Sequence, residues 1–536
     1  MAFRNVKQIL VRHGVWAASA VLFLFGVVLY IQSSFLFISP DETAGAFFIR
    51  AFAETRSLRV PFEAMSGLLH PRSMVADGMF LLPGSFLGLI VLYGAFAAVF
   101  GMSVVVYVSA ALVLLAAFAW RQVLQRWFSD RVANVAGLLM LFHPAVWYYT
   151  ARGLMPNVLL VCCLIFSAWF FLKGIHRQKD KQNSHRAAVL FGIAGVCLGW
   201  ALFVRLSEIY WILPLFGVFL YAERANLSLK TLLLFAIGTS LPLVLMLVLH
   251  AQTYGNPFVF GYQFVSSHPP FVTIPSSIAT ESVTRLGWIL PFGFHPRAIF
   301  WHTYDYLFRL FWWLTLPTLF ALGLVWKHPK QRAYTAVVMV VAAWLCVWYG
   351  SWRLNDNPDP TQLTIANSYI RYWLPVFVLS TPLLARTLVS LAERARTARV
   401  QTVVLFSSVL VLVVLNMRVV FFQGQDALVR MMSVLQTSEQ IQAHVLSLVP
   451  EQGIIITDRS DKIFFPKRRV LVPLRSEQTY TAIPLLMEHV PVYYYGITLP
   501  EKDLTFLNEQ ILLPHGVRMQ FIQSFGVESL YYFQKP

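Results

Sequence analysis

Long apolar runs alternate with short basic segments along most of the chain. The first run, 14–38, carries no charge between Val15 and Ile38. Others follow at about 102–120, 132–149, 156–172, 188–204, 208–222, 231–252, 300–326, 333–350, 371–388 and 401–420. Most approach the roughly 18–20 apolar residues that a helix needs to cross a bilayer. The pattern predicts eleven spans. Segments 121–131, 173–187, 223–230, 327–332 and 389–400 each hold between two and five Lys or Arg, which places them in the cytoplasm. The segments 40–78, 150–155, 205–207, 253–299 and 351–370 then lie outside. Arg4, Lys7 and Arg12 precede the first run, and no small-residue cleavage pattern follows it, so it reads as an uncleaved first span with a cytoplasmic N-terminus.

The apolar stretch 79–100 breaks the alternation. If it crossed, the basic 121–131 loop would fall outside. It is therefore expected to enter the membrane surface without crossing, with Pro83-Gly84 as a break near its start.

After 420 the runs shorten and charge rises. Helical periods at 425–448, 476–489 and 501–512 alternate with β-rich runs at 454–457, 470–472, 492–495, 519–522 and 530–533. This predicts two domains: a membrane domain, 1–420, and a small α/β domain outside, 421–536. The fold class expected is a mainly α polytopic membrane protein of about eleven transmembrane helices. Membrane-parallel helices are expected in its first outer loop.

Composition agrees. The chain is 57% hydrophobic and only 12% charged, against about 25% charged in soluble domains. The formal charge of +17 resides mostly in the short loops, which fits membrane topology and excludes a nucleic-acid surface. Cys162, Cys163, Cys197 and Cys346 fall inside apolar runs and read as packing residues.

Candidate chemistry clusters at the outer ends of the runs. Ser39-Pro40-Asp41-Glu42 has two readings. It fits a capping box with Pro at the first helical position. It also places a carboxylate just outside the first span, where one acid could serve as general base to an acceptor hydroxyl. Arg152, in Arg152-Gly153-Leu154-Met155-Pro156, either binds a lipid phosphate or snorkels to headgroups. Arg371-Tyr372-Trp373-Leu374-Pro375 opens an outer helix end. It reads as an aromatic belt with an anchor, or as a phosphate site at a helix N-terminus. Arg205 has Glu208 one turn on, which fits a local ion pair. His70, His268, His295 and His302 lie in or beside outer segments; they read first as polar loop histidines, with a divalent metal as the alternative, and their spacing matches no ligand pattern. The long outer loop opens on Tyr254-Gly255-Asn256-Pro257-Phe258 with Gly261-Tyr262, a turn signal.

The order of these pieces over residues 1–420 resembles the GT-C superfamily of membrane glycosyltransferases. It is most similar to the bacterial protein O-mannosyltransferase and aminoarabinose-transferase-like group. Asp41-Glu42, Arg152 to Pro156, the Tyr254-to-Tyr262 segment and Arg371 to Pro375 carry the resemblance. It implies transfer of a sugar from a polyprenyl-phosphate donor, with inversion, to a glycan, lipid or protein hydroxyl at the extracytoplasmic face of the cell (inner) membrane. It further implies Asp41 as base, with Glu42 beside it. Arg371, Arg152, Arg205 and Tyr372 would contact the donor phosphate, and His70, Tyr254 and Tyr262 the substrates. Asn157 stands where the family often has an acid. No nucleotide or redox fingerprint is present. A lipid transporter or flippase is the competing class; it would need charged residues in mid-span, and the runs hold few acids. A receptor with a binding C-terminal domain is the third.

Overall fold

The computed structural model describes residues 2–30, 36–62, 70–178, 184–267, 289–353 and 362–536. The His268-Pro269-Pro270 turn lies outside them. The chain forms two compact units. One comprises Met1–Ile31, Val104–Leu245 and Glu281–Met431; the other Gln32–Ser103, Met246–Thr280 and Met432–Pro536. These units cut across the division at 420 drawn from composition. The C-terminal stretch is grouped with the first outer loop.

Among the described residues seven helices are long and apolar enough to cross a membrane, and up to nine if two bent pairs each count as one span. The full count of eleven is not confirmed by helix length. Of the expected spans, 14–38 and 208–222 correspond to shorter apolar helices, Gly14–Tyr30 and Leu206–Ala222. Residues 79–100 are not one helix. They divide into a strand, Phe80–Pro83, and a 13-residue helix, Gly88–Phe100, shorter than the roughly 20 residues that cross a bilayer.

In the helical unit the bends have local causes. The Asp130–Leu141 and Pro144–Ala151 helices meet at 44° because Pro144 supplies no N–H to continue the ladder. His143 Nδ1 accepts the Ala145 N–H at 3.2 Å and starts the second helix. The Phe142 carbonyl is taken by Asn416 Nδ2 at 3.0 Å, and the Asn416 oxygen accepts the Trp313 indole N–H at 2.9 Å. At membrane depth no water would satisfy such groups, so a buried amide does. The Ser184–Val204 and Leu229–Tyr254 helices meet backbone to backbone. A Cβ at Gly195 would come within 2.1 Å of the Phe235 carbonyl oxygen, and one at Gly238 within 2.2 Å of that of Gly192. Small residues permit this approach.

The second unit holds two sheets. The first joins β1 (Val60–Pro61), β2 (Met74–Asp77) and β3 (Phe80–Pro83) in the order β1-β3-β2, all antiparallel. Its hairpin turns through Gly78, at φ 58, and Met79. The second sheet comprises β4 (Ile454–Thr457), β5 (Arg469–Leu471), β6 (Val492–Ile497), β7 (Arg518–Phe525) and β8 (Glu528–Gln534), in the order β5-β4-β6-β8-β7. The β-rich runs of the sequence became these five strands. β4 pairs parallel with both β5 and β6, and all four of its residues are buried, as expected of a central parallel strand. Ile454, Leu486, Tyr494 and Phe533 lie in its core, and Phe62 from the first loop packs against it.

Candidate functional site

In the second unit the Pro40–Thr55 helix begins on Ser39. The Ser39 hydroxyl accepts the Asp41 N–H at 3.2 Å, and Glu42 Oε2 accepts the Ser39 N–H at 3.2 Å, so the capping box is closed in both directions. The two acids separate as a helix requires, about 100° apart. Glu42 is buried, 2% exposed, and Asp41 faces outward. The Ser73 hydroxyl donates to Asp41 Oδ1 at 2.6 Å. Ser73 is held in the left-handed region, φ 64, and its carbonyl accepts the Gly84 N–H at 3.2 Å.

The neighbour of Ser73 fixes this turn. Arg72 donates to Asp461 through its backbone N–H at 2.9 Å, Nε at 3.0 Å and Nη2 at 2.6 Å. Asp461 is fully buried. It follows the carboxyl end of β4, between strands placed on either side of it, where open α/β sheets hold ligands. Asp458 lies there too, accepting the Tyr494 hydroxyl at 2.9 Å and the Leu474 N–H at 3.0 Å. Lys462 Nζ donates to the Ile38 carbonyl, one residue before the capping box, and Phe47 meets Phe465 edge-on at 4.9 Å. His70, two residues from Arg72, has its pKa lowered by burial, against smaller opposing effects of the Pro71 carbonyl and Asp461.

Tyr254 and Tyr262 belong to the same unit. The Tyr254 hydroxyl donates to the Pro83 carbonyl at 2.8 Å. Asn256 Oδ1 accepts the Phe258 N–H at 2.9 Å, making the expected turn. A Cβ at Gly261 would stand 2.4 Å from Ser85 N, so this glycine permits a close backbone approach. Tyr262 is exposed, its ring edge-on to Phe86 at 5.4 Å. Tyr254 thus serves to dock the loop on β3, and Tyr262 is the more accessible of the two.

In the helical unit Arg205 and Glu208 are both buried and joined at 3.0 Å, the local ion pair that their spacing suggested. Arg205 Nη1 reaches Asn157 Oδ1 at 3.5 Å and Nη2 reaches the Tyr349 hydroxyl at 3.2 Å. Glu208 also accepts the Tyr349 hydroxyl at 2.5 Å and the Trp211 indole N–H at 2.6 Å. The guanidinium whose neighbour Asn157 lacks an acid therefore obtains its carboxylate from Glu208. The Tyr349 ring stacks on Tyr372 at 4.4 Å and 9°. Arg205 and Arg371 lie over the Tyr372 ring, with Cζ at 4.9 and 5.2 Å.

Arg371 does not sit at a span's N-terminus. It falls in the last turn of a five-residue helix, Ser368–Tyr372, and the long helix starts anew at Leu374. The helix-dipole argument for a phosphate there therefore fails; what remains is a half-buried guanidinium fixed against an aromatic face. Arg152 ends the Pro144–Ala151 helix, 8% exposed, 5.9 Å from the Tyr148 ring. His302 faces the Gly350 carbonyl at 2.8 Å and stacks on Tyr369 at 4.1 Å; the His295 N–H donates to Ser351 Oγ at 3.4 Å. Among the described residues no group of three or more His, Cys, Asp or Glu could hold a metal ion.

Ser73, Arg72, Asp461 and Tyr349 were not singled out from the sequence. Only Asp461 left a signal: two acids, Asp458 and Asp461, directly after the Ile454-to-Thr457 run.

Known proteins share this architecture. Along 97% of its length the chain matches 98% of ArnT from Cupriavidus metallidurans in the apo state, with a TM-score of 0.56 at 11% identity. ArnT bound to undecaprenyl phosphate matches over 98% of both chains, with a TM-score of 0.51 at 13% identity. AglB from Archaeoglobus fulgidus, in complex with an inhibitory peptide and a dolichol-phosphate, matches over 98% of this chain and 74% of its own, with a TM-score of 0.55 at 12% identity. No curated protein matches in sequence. The fold is that of the GT-C membrane glycosyltransferases. Residues 87–250 match the model of the dolichyl-phosphate-mannose-protein mannosyltransferase family, so fold and family model agree on the class.

Proposed function

We propose that this chain transfers a sugar from a polyprenyl-phosphate donor to a hydroxyl acceptor, with inversion, at the extracytoplasmic face of the cell membrane. The exposed Asp41, with Oδ1 on the Ser73 hydroxyl while Glu42 is buried in the cap, is the observation that carries the reading. Asp41 takes the acceptor proton as the hydroxyl oxygen bonds to the anomeric carbon. The bond from that carbon to the donor phosphate breaks, and its electron pair stays on the phosphate. Arg371 and Arg152 stabilise the growing phosphate charge, which fixed guanidinium groups do best away from water. Arg205, engaged with Glu208, Asn157 and Tyr349, orients Tyr372 beside Arg371. His70 and Tyr262 are assigned to substrate contact.

Support for the donor class comes from ArnT, whose structure holds undecaprenyl phosphate, and from AglB, whose structure holds a dolichol-phosphate. The test is to incubate membranes containing the chain with a panel of polyprenyl-phosphate sugars and follow lipid-phosphate release. Release with one donor, lost in Asp41→Asn and weakened in Arg371→Lys, is expected. No release with any donor overturns the reading.

A further inference from the structure

The helical unit holds a cavity of about 810 Å³ whose chemistry is unlike that of the catalytic residues. Its walls come from the ends of the Met102–Leu124, Pro156–Gln178 and Ile209–Ala222 helices and the start of Ser184–Val204. Arg126, Lys173, Arg177 and Arg186 line it, and among the described residues Glu223 is the one carboxylate that does. These residues come from the segments that the charge pattern assigns to the cytoplasm.

Two of the cations are held in place. Arg126 makes a two-pronged bond to Glu223, at 2.7 and 3.2 Å, and Glu223 also accepts Asn226 Nδ2 at 3.0 Å. Lys173 Nζ lies 3.7 Å from the centre of the Trp169 ring, whose indole N–H is itself tied to Gln122 Oε1 at 3.0 Å. Charges that merely mark topology need no such fixing. A volume of this size suits a small ligand or a headgroup. A cavity lined by more cations than carboxylates, between membrane helices, selects an anion that carries acyl chains or fits without them.

We propose that this cavity binds a phosphate group, carried by the headgroup of an anionic lipid, on the side that the charge pattern assigns to the cytoplasm. Arg126 and Lys173 are its fixed contacts, Arg177 adds charge, and Trp169 forms one wall. The proposal does not depend on which sugar is transferred, or on whether any is.

The test uses the full chain purified in neutral detergent. Trp169 reports occupancy through its fluorescence, measured against Trp169→Phe to isolate its signal. Titrants are micelles doped with phosphatidylglycerol or cardiolipin, phosphatidylcholine micelles, and inorganic phosphate alone. Native mass spectrometry counts retained lipid independently. Saturable binding of the anionic lipids, weak phosphatidylcholine binding, and a loss of about five-fold in affinity for each of Lys173→Ala and Arg177→Ala are expected. Saturation by inorganic phosphate at similar concentration, with no gain from acyl chains, overturns the lipid as source but keeps the phosphate site. Equal binding of all lipids, or binding unchanged in the Lys173→Ala/Arg177→Ala double variant, overturns the site. Because both residues are exposed, these variants are expected to fold; an unchanged thermal transition verifies that.

Discussion

Glu208 and Asp41 both sit at the start of a helix, yet their surroundings differ in every other respect. Glu208, 2% exposed, accepts from Arg205, Tyr349 and Trp211. Asp41 faces outward beside the Ser73 hydroxyl. A buried carboxylate engaged by three donors is a counter-ion: changing it changes stability. An exposed one beside a hydroxyl can exchange that partner for a substrate proton. Local sequence does not distinguish the two, since each acid lies within three residues of a cap or a cation. Burial does.

The largest effect expected is on transfer. Asp41→Asn keeps size and hydrogen-bond acceptance but cannot take a proton, so the rate should fall by about 10²–10⁴-fold with the melting temperature unchanged. Donor-lipid phosphate release, measured beside thermal unfolding, checks both halves. A fall in melting temperature with transfer retained would reverse the comparison.

Next comes the buried pair. Arg205→Met leaves Glu208 without its guanidinium and should cost about 3–5 kcal/mol of stability. Arg205→Met with Glu208→Leu should recover a large part of that, because no charge is left buried. Thermal unfolding of the three proteins tells them apart. If the double variant is as damaged as the single one, the pair acts through something other than charge.

Glu42→Gln probes the contrast within the cap itself. It retains an acceptor for the Ser39 N–H, so the loss should stay within about 1 kcal/mol and transfer should persist. Transfer lost in Glu42→Gln but kept in Asp41→Asn would move the base by one residue.

The smallest effect concerns His70. Burial lowers its pKa below the ordinary 6.5, so the folded state disfavours its protonated form. Stability is therefore full above about pH 6.5 and declines as pH falls through that value towards the folded pKa, because the unfolded chain binds the proton more readily. His70→Gln should flatten this part of the stability–pH curve. An unchanged curve would show that His70 is solvated in the folded protein.

Much of the architecture could be read from the chain. Ser39-Pro40-Asp41-Glu42 announced its own capping box, and β-rich runs such as Ile454 to Thr457 became strands, because both signals are local. The Arg205–Glu208 pair was legible for the same reason. Asp461 and Arg72 were not: 389 residues separate them, and neither has a sequence neighbour that betrays the other. The helix at Arg371 was misjudged because Trp373 continues the apolar pattern while the backbone breaks there. The full span count was not confirmed, because apolar runs such as 208–222 form helices of less than span length.

Asp461 also bears on how divisible the chain is. Its carboxylate is fully enclosed, and the guanidinium that neutralises it comes from the first loop. A fragment cut near residue 420 would keep the sheet and lose Arg72. It would enclose a charge with nothing opposite, a defect of several kcal/mol in a module of about a hundred residues. The two stretches are thus obliged to be made, inherited and exchanged together. Grafting the C-terminal sheet onto another membrane protein would succeed only if the arginine travelled with it.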